Sequence, residues 1–298
     1  MNSFNLKKLL FASILSCLAT TVAADAEQLK KVWEMAGLKN PESVVYDPET
    51  KLLYISNVNG AADEKDGNGF ISVASLDGVL VTLEWVTGLD APKGLAISDG
   101  KLYTADIDTL VEIDIATATV TNRYTVADAK FLNDVAARHT GDIFVSDMVM
   151  NRIHKLDDDS GEFIIWLESA ELENPNGLLA ENDRLLVGAW GVMTDGFATD
   201  TPGHLKAVSM KDKSITSIGD GSPVGNLDGV EIDIDGDYYV TDWMAGKLFH
   251  IDSDGTVEEL LMLNQGMADL EYILEHDLIL LPMMKDNTLL AYKAHHSE

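Results

Sequence analysis

Leu132-Asn133-Asp134-Val135-Ala136, Ile143-Phe144-Val145-Ser146-Asp147 and Arg152-Ile153-His154-Lys155-Leu156 follow one another near the middle of this 298-residue chain. Each run has the length and β-branched or aromatic content of a strand, and an acidic hairpin turn, Asp157 to Gly161, closes the third. The same order recurs on both sides. The heads of the units are Pro41-Glu42-Ser43-Val44-Val45, Pro92-Lys93-Gly94-Leu95-Ala96, Leu132 to Ala136, Pro175-Asn176-Gly177-Leu178-Leu179, Leu227-Asp228-Gly229-Val230-Glu231 and Ala268-Asp269-Leu270-Glu271-Tyr272. A second strand follows each head, and four of the six second strands end in Asn or Asp, at Asn57, Asp106, Asp147 and Asp242. From Glu42 to Asp269 the mean step is about 45 residues, the length of a four-stranded propeller blade. No segment has helical spacing long enough to cross a parallel sheet, so an α/β barrel is excluded.

The expected fold is therefore all-β: a six-bladed β-propeller with four-stranded blades. A ring of blades must close, because an open end leaves an unpaired strand edge. The last unit lacks an outer strand. Residues 27 to 36 precede the first unit and are expected to supply it, as an N-terminal strand closing the last blade.

The first 24 residues stand apart. Lys7 and Lys8 precede a short apolar run, Leu9 to Leu18, and Val22-Ala23-Ala24 offers small residues for cleavage. This pattern predicts a signal peptide at 1–24 and a propeller domain at 25–298. Localisation is then periplasmic or secreted, with no stable membrane insertion after signal removal. Cys17, the single cysteine, sits in an imperfect lipobox, Ile14-Leu15-Ser16-Cys17, so a lipid-anchored form is the minor alternative. Either way the mature fold has no disulfide and rests on its core or on bound metal.

Of 21 basic residues, Lys7 and Lys8 leave with the signal; the remaining 19 face 50 acidic residues. That balance repels phosphate backbones and excludes nucleic acid as a natural partner. It favours solubility and attracts cations.

Superposing the six units puts Glu42, Lys93, Asn133, Asn176, Asp228 and Asp269 at one equivalent place, on the innermost strand of each blade. In a propeller these six would ring the central channel. Asn and Asp before Gly are also common turn residues, which would account for Asn176 and Asp228 alone but not for Glu42. Converging carboxylates repel each other unless a cation neutralises them. Oxygen ligands without Cys or His suit Ca²⁺ before other divalent cations and do not suit Zn²⁺. The expected metal ligands are Glu42, Asn133, Asn176 and Asp228, with Asp269 a fifth ligand or a partner of Lys93. In a metal-free alternative, Lys93 bridges Glu42 and Asp269 in a buried polar network.

Pro41-Glu42, Asn133-Asp134, Asn176-Gly177 and Asp228-Gly229, each heading a blade, resemble the senescence marker protein/gluconolactonase/luciferin-regenerating-enzyme family. The resemblance implies a six-bladed propeller with a divalent metal on its axis and lactonase-like hydrolysis. It implies that Glu42, Asn176 and Asp228 are metal ligands and that Asn133 contacts metal or substrate. There are three departures, one being that the ring lacks a paraoxonase-like His pair. Phe131 occupies a place where the sugar-lactonase branch has Arg, and Lys93 matches no family role.

A channel cation beside carboxylates suits metal-dependent hydrolysis of lactone or ester-type small molecules. Asp228 and Asp269 are the candidate base or nucleophile, with Asn133 assisting. No Gly-x-Ser-x-Gly pattern is present, so a serine hydrolase is not expected. Loops after the second strands carry Met148, Met150, Trp190, Met193, Phe197, Trp243, Met244, Met283 and Met284. They would form an apolar mouth for a small-molecule, apolar substrate, with Lys93, Trp190, Trp243, Met244 and Met283 as substrate-binding candidates. The loop from Gly191 to His204 is a candidate lid, and His204 a candidate proton carrier. The alternative from another class is a non-catalytic ligand- or protein-binding propeller with a structural calcium.

Overall fold

The computed structural model describes residues 29–294; the predicted signal, the lipobox and Cys17 lie outside the described residues. The described chain forms 24 strands in six four-stranded antiparallel sheets. In chain order, β1 (Lys30–Ala36) comes first. Blade one is β2 (Pro41–Asp47), β3 (Leu52–Asn57), β4 (Gly69–Ser75) and β5 (Leu80–Leu89). Blade two is β6 (Pro92–Ser98), β7 (Lys101–Asp106), β8 (Thr109–Asp114) and β9 (Thr119–Thr125). Blade three is β10 (Leu132–Ala137), β11 (Ile143–Asp147), β12 (Arg152–Leu156) and β13 (Phe163–Glu168). Blade four is β14 (Pro175–Ala180), β15 (Arg184–Ala189), β16 (Leu205–Ser209) and β17 (Ile215–Ser217). Blade five is β18 (Leu227–Ile232), β19 (Tyr238–Asp242), β20 (Lys247–Ile251) and β21 (Val257–Met262). Blade six is β22 (Glu271–Ile273), β23 (Leu278–Met283) and β24 (Thr288–Lys293), with β1 as its outer strand. Two single-turn 3₁₀ segments are the only helical elements among the described residues.

The six-bladed propeller is thus closed as expected from the N-terminal segment. β1 pairs antiparallel with β24 from Lys30↔Lys293 to Ala36↔Thr288, so the outer edge of the last blade is held by residues from the opposite chain end. Six apolar clusters fill the six spaces between neighbouring blades. One example joins Leu53 and Ile55 of blade one to Leu280, Leu289 and Ala291 of blade six. Another joins Leu186 and Leu205 of blade four to Val230 and Val240 of blade five. Alternation along each strand supplies these faces, since every blade packs on two neighbours.

Five inner strands share one irregularity. Pairing with the second strand breaks between Pro41 and Val44, Pro92 and Leu95, Leu132 and Val135, Pro175 and Leu178, and Leu227 and Val230. The residues skipped are the two that head each unit. A bulge removes them from the ladder and re-aims their side chains. The freed backbone is caught by a hydroxyl of the second strand. Ser43 N donates to Ser56 Oγ (2.9 Å), Asp134 N to Ser146 Oγ (2.9 Å) and Gly229 N to Thr241 Oγ1 (2.8 Å).

The Asn and Asp that end four second strands also have a structural task. Asn57 Oδ1 accepts from Lys39 N, Asp106 from Asp90 N and Ala91 N, and Asp147 from Lys130 N and Phe131 N. Asp242 accepts from Ala245 N. They fasten the loops around the blade heads rather than facing the axis. The sixth unit departs from the others. Asp269 precedes β22 instead of lying in an inner strand, because its N–H donates across to the Glu42 carbonyl (2.9 Å) rather than into its own blade.

Candidate functional site

The bulged heads converge on an apolar pocket of about 190 Å³ that opens on one face of the ring. Glu42, Lys93, Asn133, Asn176 and Asp228 form its floor, one residue from each of five blades. All five are buried. Small residues beside them let the heads meet. A Cβ on Gly177 would lie 1.6 Å from the Asp228 carbonyl oxygen, and one on Gly229 would lie 2.7 Å from Asp269 Oδ1. Gly at these places is required by close approach between blades, with no need for a positive φ.

The floor has unspent polar capacity. Glu42 Oε2 and Asn133 Oδ1 are buried and have no hydrogen-bond partner. Asn133 Nδ2 contacts Asn176 Oδ1, and Asn176 Nδ2 donates to the Leu227 carbonyl (3.0 Å). Burial and then the charges of Asp228 and Asp269 hold the Glu42 carboxyl well above its ordinary value, against the pull of Lys93. Burial and then Asp269 raise Asp228 likewise. Orphaned buried oxygens are rare in native proteins and call for an ion or water. The floor offers two carboxylates, from Glu42 and Asp228, and two side-chain amides, from Asn133 and Asn176, a donor set whose chemistry suits a hard divalent cation such as Ca²⁺.

Asp269 lies just outside this set. It is buried, does not line the pocket, and accepts from Ser43 Oγ (2.6 Å); burial pushes it up to about 7. Below the floor, Asp134 Oδ2 accepts from Leu178 N (2.6 Å) and so ties blade three to blade four. Glu271, pushed up to about 8 by burial, and Glu231, also raised by burial, are close enough to Asp269 to feel its charge and extend this acidic cluster. Asp134, Glu231 and Glu271 were missed from sequence; the available signal was an acid inside an apolar inner strand. Lys93 does not bridge Glu42 and Asp269. Its Nζ donates to the Ala91 carbonyl (2.9 Å) and sits 4.7 Å from the Phe131 ring centroid.

The pocket wall is Val58, Ala62, Phe131, Met148, Trp190, Phe197, Trp243 and Met284. Trp190 and Trp243 are therefore placed at the pocket, together with Phe131, which was noted in the sequence only as a departure. Met244 is exposed and does not line it; Met283 is buried in the core between blades five and six, with its neighbour Met284 facing the pocket instead. The end of β23 explains the difference, since Met283 is its last residue and Met284 opens the turn that follows. The loop from Gly191 to His204 contributes Phe197 to the pocket wall. Trp190 Nε1 donates to the Phe197 carbonyl (2.9 Å), and the Phe197 ring lies 5.4 Å from Phe131. His204 points away, hydrogen-bonded to Ser217 Oγ (2.9 Å) on the flank of blade four.

A second oxygen- and nitrogen-bearing group, Asp233, Asp237 and His250, gathers on a turn of blade five. His250 Nε2 is 2.8 Å from Asp233 Oδ2, and the Asp235 and Asp237 N–H groups donate to Asp233 Oδ1. These bonds account for the cluster as a turn.

The sequence profile described as SMP-30/Gluconolactonase/LRE-like region matches residues 40–264, five of the six blade heads. The chain belongs to this family. No individually curated protein matches the chain. Among solved structures, a gluconolactonase from Xanthomonas campestris is similar at 15% identity and TM-score 0.68, covering 92% of this chain and 93% of its own. Virginiamycin B lyase from Staphylococcus aureus is similar at 14% identity and TM-score 0.62, covering 90% of this chain and 100% of its own. At such identities these likenesses speak for the fold. This SMP-30/gluconolactonase-like chain is a lactonase-like propeller whose axial pocket contains the blade-head residues.

Proposed function

We propose that the protein is a divalent-metal-dependent hydrolase of small lactone or ester-type molecules, with Ca²⁺ at the pocket floor. The observation that carries this reading is the pair of unpartnered buried oxygens, Glu42 Oε2 and Asn133 Oδ1, at the floor of an open apolar pocket. A structural ion would be enclosed by protein on every side, whereas this floor faces a space large enough for a ligand. Family membership and the gluconolactonase neighbour support the same reading.

Glu42, Asn133, Asn176 and Asp228 would hold the ion. When bound it would polarise a carbonyl oxygen and acidify water. The chain's own residues do the rest. The aromatic wall excludes bulk water and orients the substrate body. Asp228 lines the pocket, and a carboxylate oxygen not engaged by the ion would take the proton from an attacking water. Asp269, hydrogen-bonded to Ser43, is placed to steady charge beneath the floor rather than to touch substrate.

The proposed export to the periplasm or outside the cell rests on the N-terminal sequence pattern alone. The test of activity is a panel of lactones and aryl esters assayed with calcium, with EDTA, and with Asp228→Ala. Metal-dependent turnover lost in the variant is expected. Turnover that persists in Asp228→Ala would remove this site. A folded, calcium-binding protein inert on the whole panel would favour the non-catalytic binder.

A further inference from the structure

Lys93 is among the largest fully buried side chains of the protein, 2% exposed. Burying an ammonium without a close counter-charge costs several kcal/mol, and methionine would fill the same length at no such cost. No carboxylate lies within 4.0 Å of Lys93 Nζ among the described residues, although Glu42 and Asp106 are near enough to act through space. The ammonium has three donors and spends one, on the Ala91 carbonyl. The Phe131 ring face stabilises it without neutralising it. Both Lys93 and Phe131 line the pocket, as do Trp190, Phe197 and Trp243. The Trp190 ring lies 6.2 Å from Trp243 and 6.3 Å from Phe197, so the wall is a set of flat faces. Sugar-like ligands need several hydrogen-bonding side chains, and this wall offers only the indole N–H groups of Trp190 and Trp243, the first of them spent on the Phe197 carbonyl; the carboxylates and amides are all at the floor.

We propose that Lys93 is the specificity-determining residue of this site, receiving an anionic oxygen of a ligand whose flat apolar body lies against Phe131, Trp190, Phe197 and Trp243. The ligand class is small aromatic or alicyclic carboxylates, and the corresponding esters and lactones are the substrates. Ester or lactone cleavage leaves such a carboxylate, so the same ammonium meets the charge as it develops and after it has formed. This inference rests on the hydrolase reading for its substrates but not for the binding event.

The test is binding of benzoate and of its neutral analogue benzamide to the calcium-loaded mature protein, followed by tryptophan fluorescence and calorimetry. A charge-assisted contact predicts benzoate binding tighter than benzamide by about tenfold or more. Lys93→Met should cut this preference several-fold, leaving only what the calcium ion itself contributes, while keeping calcium binding and a melting temperature at or above that of the parent; Lys93→Arg should keep more of it. Equal discrimination by the parent and a folded, calcium-binding Lys93→Met would overturn the proposal, as would no preference in the parent. Failure of the hydrolase reading looks different: benzoate discrimination persists in the parent but no ester or lactone turns over. Calcium-dependent turnover equal in parent and Lys93→Met would leave the hydrolase standing and remove Lys93 from it.

Discussion

At the scale of single residues, the site is a place where folding was made harder than it need be. Glu42 keeps a carboxyl oxygen buried and unpartnered. Removing that charge in Glu42→Gln should leave the metal-free protein equally stable or more stable, by about 1 kcal/mol or more. The same variant should lose most calcium affinity, tenfold or more, because a carboxylate ligand becomes an amide. Melting curves of the stripped protein and calcium titration check both halves; a destabilised apo variant with unchanged calcium affinity would show that Glu42 is structural. Gly177→Ala tests the close approach. Its methyl would enter the space of the Asp228 carbonyl, so we expect a loss of about 3 kcal/mol or more, or no folded protein, in denaturant melts. The candidate site residues were legible in the sequence where a repeat pointed to them. Glu42, Asn133, Asn176 and Asp228 are brought together at one floor. Met283 and Met284 could not be told apart, because which of two neighbours faces the pocket depends on where the strand ends, which composition does not reveal.

At the scale of elements, the repeated bulge explains why each blade begins with a short polar motif. The motif leaves the ladder, and a Ser or Thr hydroxyl of the second strand takes up its N–H. Ser146→Ala should cost about 1 kcal/mol by leaving Asp134 N unsatisfied. It should also weaken calcium binding through Asn133, the other residue of the same bulge. Thermal melts and calorimetry measure the two effects, and a variant unchanged in both would mean the hydroxyl is dispensable. The closing strand carries a larger share. Deleting residues 25–36 removes β1 and leaves the edge of β24 unpaired. We expect aggregation or oligomers by size exclusion, as for any exposed edge; a monomer of parental melting temperature would refute a role in closure. This closure was readable from a simple deficit, one strand missing at one end and one spare at the other. The displacement of Asp269 was not, because it follows from an inter-blade bond to Glu42 that no repeat alignment contains.

At the scale of the whole molecule, the cluster of acids beneath the pocket links stability to pH. Burial raises Asp269 to about 7 and Glu271 to about 8, against unfolded values of about 4. A carboxyl raised in the folded state favours folding while protonated in both states and loses that advantage as pH climbs through its folded pKa. Metal-stripped protein should therefore melt at falling temperatures from about pH 5 to about pH 8. For Glu112 and Asp233, burial is outweighed by hydrogen bonds, so these carboxyls ionise below that window. Scanning fluorimetry across this range checks the sign; a rising melting temperature would contradict it. Calcium should oppose the fall, because a bound cation favours the ionised floor. At about a hundred times its dissociation constant it adds about 2.7 kcal/mol. That corresponds to a shift of about 5 °C for a chain of this size.

The central claim is that a divalent cation sits among Glu42, Asn133, Asn176 and Asp228. Isothermal calorimetry of calcium into stripped mature protein tests it directly, run beside Asp228→Asn and, as a control, Asp233→Asn on the blade-five turn. Calcium affinity should fall tenfold or more in Asp228→Asn and be untouched in Asp233→Asn. No calcium binding, or binding lost only in Asp233→Asn, would contradict it.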